Sequence, residues 1–220
     1  MVTKLGLVHT SATLVPVFAE LLLPFGPRVS GFNIVDDSLI KDVIHAGSLT
    51  PAVASRVVDQ VGLAERAGAD AILVTCSSIG EAVELSARLS RVPVIRVDQA
   101  MADRAVGIGG RVGVLATLPT TLGPTEKLVR RQAAEADKAV TVTARVCPGA
   151  FEALMAGDAA THDAIVGAAI REMQRGSDVV LLAQASMARV AEALPTDDAT
   201  APVLASPPLA VASLAARFGW

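Results

Sequence analysis

Short aliphatic runs alternate along this chain with longer stretches whose apolar residues recur at helical spacing. The runs Lys4–Val8, Val29–Ile34, Ala71–Val74, Val94–Val97, Arg111–Leu115, Val140–Val146, Val179–Leu182 and Val203–Ala205 read as strands. Helical spacing fills Ala52–Ala67, Gly80–Ser90, Thr125–Glu135, His162–Arg175 and Met187–Leu194. A final helix is expected over Pro207–Phe218. Strands that alternate with helices argue for βαβ units and a parallel sheet.

The pattern also repeats. "KLGLVHTSAT" from Lys4 aligns with "RVGVLATLPT" from Arg111, an offset of 107. "AGADAILVTCSS" from Ala67 aligns with "RGSDVVLLAQAS" from Arg175, an offset of 108. "VPVIRV" from Val92 aligns with "APVLAS" from Ala201, an offset of 109. Three matches in order at a nearly constant offset indicate two similar halves. The expected fold is therefore α/β, with two pseudo-symmetric Rossmann-like lobes. Each holds a mostly parallel sheet flanked by helices. The boundaries fall at 1–97 plus 206–220 for the first lobe and 98–205 for the second, with the crossing near Arg96–Met101. The last helix is expected to pack back on the first lobe.

Composition narrows the class. The chain has 220 residues, enough to bury a sizeable core. Hydrophobic residues make up 52% and aromatics 3%, with no Tyr, so Ala, Val, Leu and Ile must build that core. The net charge of −3 is dispersed, and a single Trp offers no base-stacking platform, which argues against nucleic acid as a partner. No apolar run approaches the length of a membrane span. "MVTK" leads directly into a strand, without a secretory pattern. Two cysteines 71 positions apart form no metal-binding spacing, so free thiols in a reducing cytoplasm are expected, with no metal. The aliphatic content suits a homodimer or a higher homo-oligomer.

In open α/β sheets, ligands bind beyond the carboxyl ends of the strands. The loops there are His9–Thr13, Thr75–Ser78, Thr117–Thr121 and Ala183–Ser186, all rich in small and hydroxyl residues. Two lobes facing each other would place them around one cleft. A helical pattern follows each loop, so unpaired backbone N–H groups make a natural anion site without Arg or Lys. A small carboxylate is the expected ligand.

Cys76 sits in one of these loops, in "ILVTCSSIG". It reads equally as a buried small apolar residue or as a reactive thiol. Its place at a strand end heading a helix favours reactivity, because the helix dipole would stabilise a thiolate and lower its pKa. "GIGG" at Gly107–Gly110 precedes a strand and reads as a turn, not a dinucleotide fingerprint. Asp36 and Asp37, adjacent on an expected loop, read as a solvated pair. His45 leads into a loop, and "THD" around His162 reads as a helix start with capping groups.

"GLVHTSATLVP", "GADAILVTCSS", "GVLATLPTT" and the two-lobed repeat resemble the aspartate/glutamate racemase superfamily. That group includes aspartate, glutamate and hydantoin racemases, maleate isomerase and arylmalonate decarboxylase. The resemblance covers nearly the whole chain and implies chemistry without a cofactor. In the racemases, one cysteine from each lobe addresses the substrate α-carbon, and the resemblance maps the first of them onto Cys76. The repeat offset places Gln184, in "LLAQASMA", where the second would stand. An amide is no general base near neutral pH, although it donates and accepts hydrogen bonds. Cys147, in "VCPGAFEAL", is similar to a second-lobe A-C-P segment of glutamate racemases that does not hold the catalytic cysteine. It reads as structural or as cleft-lining, with Glu152 one turn on as a nearby carboxylate or a helix-start charge. His9 stands where glutamate racemases carry an acidic residue. It reads as a proton relay or as a histidine tied to the backbone.

The expected enzyme is thus a cofactor-independent isomerase, racemase or lyase acting on a small carboxylic acid, with Cys76, Gln184 and His9 as candidate catalytic groups. Thr10, Thr75, Ser77, Ser78, Thr117, Thr120, Thr121 and Ser186 are candidates to hold the carboxylate as charge builds on it. One thiol suffices for decarboxylation or isomerisation. The alternatives are an amino-acid or hydantoin racemase with a non-cysteine second acid/base, and a non-catalytic carboxylate-binding relic.

Overall fold

The structure is a computed structural model, which describes residues 2–194 and 201–220. The chain divides into two compact units, Met1–Val97 with Pro207–Trp220, and Asp98–Ser206.

The first unit opens with β1 (Thr3–His9), α1 (Leu14–Leu22), β2 (Val29–Val35), α2 (Ser38–Ala46) and α3 (Pro51–Arg66). It continues with β3 (Ala71–Val74), α4 (Gly80–Leu89) and β4 (Val94–Arg96). All the strand pairs are parallel, in the order β2-β1-β3-β4. Side chains alternate between the faces of a strand, and here both faces are apolar. Leu5, Leu7, Ala71 and Leu73 point to one face, into a cluster with Phe18 and Leu22 of α1. Val8, Ile72 and Val74 point to the other, against Val53, Val57, Val61 and Ala64. Those four recur at helical spacing along α3 and form its buried stripe. Thr50 starts that helix by accepting from the Val53 N–H at 3.3 Å, with Pro51 in the first turn.

The second unit repeats the plan. It comprises α5 (Gln99–Ile108), β5 (Arg111–Ala116), α6 (Pro119–Glu135), β6 (Thr141–Val146), α7 (Ala150–Met155), α8 (Ala159–Gln174), β7 (Val179–Leu182), α9 (Ala188–Ala193) and β8 (Val203–Ala205). The strands are again parallel, in the order β6-β5-β7-β8. The chain then returns to the first unit as α10 (Ser206–Phe218). Ala210, Val211 and Leu214 of α10, with Trp220 beyond it, close the β1–β3 face that Phe18 shares. The Trp220 indole N–H donates to Thr3 Oγ1 at 3.0 Å.

The repeat extends to single residues. Gly6 and Gly113 occupy equivalent places in the two central strands. A Cβ on Gly6 would lie 3.1 Å from Ala64 of α3, and one on Gly113 would collide with Met173 of α8. Helices pack directly on bare backbone at both positions.

Several helices lie where the sequence pattern left loops. α1 carries Pro16 near its start, where a proline is tolerated because the first N–H groups lack partners anyway. Asp36 and Asp37 lie at the head of α2, and His45 lies in its last turn before Gly47, which takes the left-handed conformation of a helix stop. α6 begins six residues before the expected Thr125 and runs through Gly123-Pro124, held by buried Thr121, Thr125 and Leu128. At α8, Asp158 is the cap, accepting from Thr161 N–H at 3.0 Å, while His162 is buried within the helix.

Candidate active site

The strand β3 ends at Val74, and Thr75 and Cys76 continue in extended conformation before a 3-10 turn over Ser77–Ile79 leads into α4. Tight turning brings the backbone N–H groups of Ser78 and Ile79 back toward the Cys76 sulfur. The hydroxyls of Ser78 and of Thr10, from the end of β1, donate to it as well. The thiol is therefore ringed by four donors. Burial is nevertheless the larger influence, and it pushes the Cys76 pKa above its ordinary value while the donors pull it back. The helix-dipole expectation of a lowered pKa is thus reversed: burial of the sulfur outweighs the nest, although the residue as a whole is part-exposed.

His9, the last residue of β1, is fully buried. Its Nε2 lies 2.8 Å from Asn33 Oδ1 on β2 and its Nδ1 lies 2.9 Å from Thr75 Oγ1. Burial lowers its pKa, with the Asn33 contact opposing, so the ring is held toward its neutral form. With Nε2–H donating to Asn33, Nδ1 accepts the Thr75 proton. That hydroxyl also lies 3.2 Å from the Val8 carbonyl, its alternative acceptor. Both ring nitrogens are satisfied within the protein. His9 thereby fixes Thr75, the residue before Cys76.

Gly80 opens α4 directly under the Arg96 guanidinium, which pairs with Glu84. A side chain at Gly80 would displace that buried arginine, so this turn requires glycine. Just past the end of β2, Asp36 accepts from Arg56 Nη2 at 2.6 Å and Gln60 Nε2 at 2.8 Å. Burial raises its pKa, but the bonds from Ser38 and Arg56 outweigh it and hold the carboxylate below its usual range. Asp36 is thus committed to a structural network, unlike the solvated Asp37.

The second unit forms the same turn around a different group. Gln184 follows β7, with backbone angles φ −129° and ψ 139° against −132° and 119° for Cys76. Each residue heads a 3-10 turn. Thr117, at the end of β5, is the counterpart of Thr10, and its Oγ1 lies 2.9 Å from Gln184 Oε1. The Thr117 backbone N–H donates to the same oxygen. Thus the threonine that serves the thiol in one unit serves the amide in the other.

The Asp/Glu/Hydantoin racemase family matches this chain over residues 5–214. The chain belongs to that family. Solved structures with the same fold include a glutamate racemase from Bacillus anthracis (18% identity, TM-score 0.77, 99% of this chain and 82% of that one). An allantoin racemase from Klebsiella pneumoniae is similar at 17% identity and TM-score 0.71, over 99% of this chain and 89% of that one. A glycine-to-cysteine mutant of arylmalonate decarboxylase is similar at 20% identity and TM-score 0.59, over 98% of this chain and 93% of that one. No curated protein matches the chain.

The remaining candidates in this racemase-family chain separate clearly. Ser77 and Ser78 are buried in the Cys76 turn, and Thr121 is buried in the first turn of α6. Thr120 is part-buried, and its Oγ1 is inaccessible and without a partner among the described residues. Ser186 is part-exposed in the Gln184 turn. Cys147 is 2% exposed and packs among Leu115, Ala150, Val166 and Ile170, where burial raises its pKa. It behaves as an apolar residue of the core. Glu152 is exposed in the first turn of α7, where the helix dipole favours a negative charge. Cys147 occupies the place of Asp36 in the repeat, since each N–H donates to the end of the central strand, at Ala116 and His9.

Sequence reasoning missed Asn33. Its role depends on the register that sets β2 beside β1, and no local motif announces that pairing. Among the described residues, no cluster of three or more His, Cys, Asp or Glu is placed to hold a metal, and no helix is long and apolar enough to cross a membrane.

Proposed function

We propose that this racemase-family enzyme performs cofactor-independent proton transfer on a small carboxylic acid with a single thiol, Cys76. The observation that carries the reading is the donor nest around a thiol whose pKa is raised. Such a thiol is neutral near pH 7 and is a proton donor. The thiolate left after transfer meets the hydroxyls of Thr10 and Ser78 and the N–H groups of Ser78 and Ile79, so the charge forms where donors already point.

Decarboxylation or isomerisation fits this arrangement. In decarboxylation, the bond between the α-carbon and the departing carboxylate breaks and carbon dioxide leaves. The electron pair stays on the α-carbon, delocalised into the remaining carboxylate. The Cys76 S–H proton then goes to that carbon, and the thiolate recovers a proton from solvent. His9 is a positioning residue here, acting through Thr75. The N-terminus of α6 supports carboxylate binding, whereas the Thr117 hydroxyl is committed to Gln184.

A second reading, racemisation with a non-cysteine second acid/base, is favoured by the glutamate and allantoin racemases among the solved relatives. The test is a panel of substituted malonates and α-amino acids incubated in deuterium oxide. The one-thiol reading expects decarboxylated or isomerised product deuterated on one face, and Cys76→Ala slowing turnover by about 10²- to 10⁴-fold, the usual range for a lost general acid. Deuterium entering unreacted substrate with inversion would establish the racemase reading instead. Full turnover by Cys76→Ala would sink both.

A further inference from the structure

Gln184 carries more information than the absence of a thiol. The Thr117 backbone N–H donates to its side chain, and a backbone N–H can only donate. The atom it meets must therefore be the amide oxygen, which fixes which end of the amide is which without appeal to convention. The Thr117 hydroxyl reaches the same oxygen at 2.9 Å. The amide nitrogen, by elimination, is turned away from β5, and neither bond that Gln184 makes involves it. Among the described residues its two N–H donors meet no partner, which leaves them for a ligand. Near the end of β5, the buried Thr120 hydroxyl also lacks a partner among the described residues. The second unit thus presents the Gln184 amide donors at the carboxyl end of β7, beside β5.

We propose that Gln184 is a fixed hydrogen-bond donor for a carboxylate oxygen, and that it binds the anion without moving a proton. The inference rests on the small-carboxylate reading above. It adds that, where the family places a second thiol, this chain places a specificity group that selects for an acceptor oxygen. An amide locked by Thr117 cannot rotate to offer its oxygen without abandoning two hydrogen bonds. Acceptor groups on a ligand are therefore welcomed there and donor groups are rejected. Carboxylates, and carbonyl-bearing acids, are the matching class; an ammonium group at that point is disfavoured.

Malonate binding to the full chain, measured by calorimetry between pH 4 and pH 7, tests this. Gln184→Met removes the donors at similar size and should weaken binding by roughly 10- to 100-fold at every pH, the range for losing a hydrogen bond to a charged group. Gln184→Glu should weaken it at least as much at pH 7, where a carboxylate faces the anion. Relative to the unsubstituted chain at the same pH, that deficit should close as the new carboxyl takes up a proton near its ordinary value of about 4.3 and becomes an O–H donor. Thermal melts of both variants at each pH separate lost binding from lost folding. Turnover and deuterium placement, read separately from malonate binding, report on the thiol chemistry, so a failure of that chemistry and a failure of this assignment give different results. Gln184→Met binding at unchanged affinity, a Gln184→Glu deficit that persists at low pH, or no saturable binding of malonate to the unsubstituted chain would each overturn the assignment.

Discussion

At the scale of single residues, the decisive contest is between burial and donors. At Cys76 burial wins and the thiol is held neutral. At His9 it wins again and the imidazole is held neutral, with Asn33 and Thr75 satisfying both nitrogens. This gives a pH prediction with a definite sign. A histidine whose folded pKa lies below its ordinary 6.5 binds fewer protons folded than unfolded near that pH. Its contribution to stability is complete above pH 6.5 and is lost as the pH falls toward the folded value. Chemical denaturation at a series of pH values should show stability declining below pH 6.5, and His9→Gln should flatten that slope. An unchanged slope in His9→Gln would assign the decline to other groups. The sequence placed Cys76 and His9 at strand ends correctly, because a hydrophobic run followed by small polar residues is a local signal. It could not give the sign of the thiol pKa, because that sign is a balance between burial in the fold and donors such as Thr10, distant in the chain.

At the scale of elements, strands were more legible than helices. Ala71–Val74, Val179–Leu182 and Val203–Ala205 are strands over the limits that their aliphatic runs suggest. Buried parallel strands write themselves as continuous apolar runs. α1 and the first turns of α6 were hidden by Pro16 and by Gly123-Pro124, breakers that tertiary packing overrides. The equivalence of Gly6 and Gly113 became meaningful only once α3 and α8 were placed over them. Gly113→Ala would force Met173 and Ser177 to move, since an added Cβ would approach Ser177 Oγ within 2.8 Å. A loss of about 1–3 kcal/mol in urea unfolding is expected, the usual result of overpacking. Gly6→Ala should lose less, because its nearest neighbour is 3.1 Å away. Equal losses at the two glycines would contradict this account of the packing.

At the scale of the whole molecule, two copies of one plan carry different groups at the same turn. The three aligned segments and their offsets made the duplication legible, and the equivalent backbone angles at Cys76 and Gln184 are its structural form. The lock on Gln184 was not legible, because it depends on Thr117 across a strand pairing. The chain's return through α10 gives the first unit its final layer. Trp220, 8% exposed and bonded to Thr3, anchors it there. Trp220→Ala should cost about 3–5 kcal/mol in equilibrium unfolding. A loss under 1 kcal/mol would mean that the C-terminal layer contributes little. The function assigned to the molecule depends on Cys76 being a neutral thiol that gives up its proton within the nest. Alkylation of the intact chain across pH, with the labelled peptide identified by mass, tests that most directly. Cys76 should react with an apparent pKa above its ordinary 9.0, and Thr10→Val should move it higher still by removing a donor. An apparent pKa well below 9.0, unmoved by Thr10→Val, would contradict the proton-donor role.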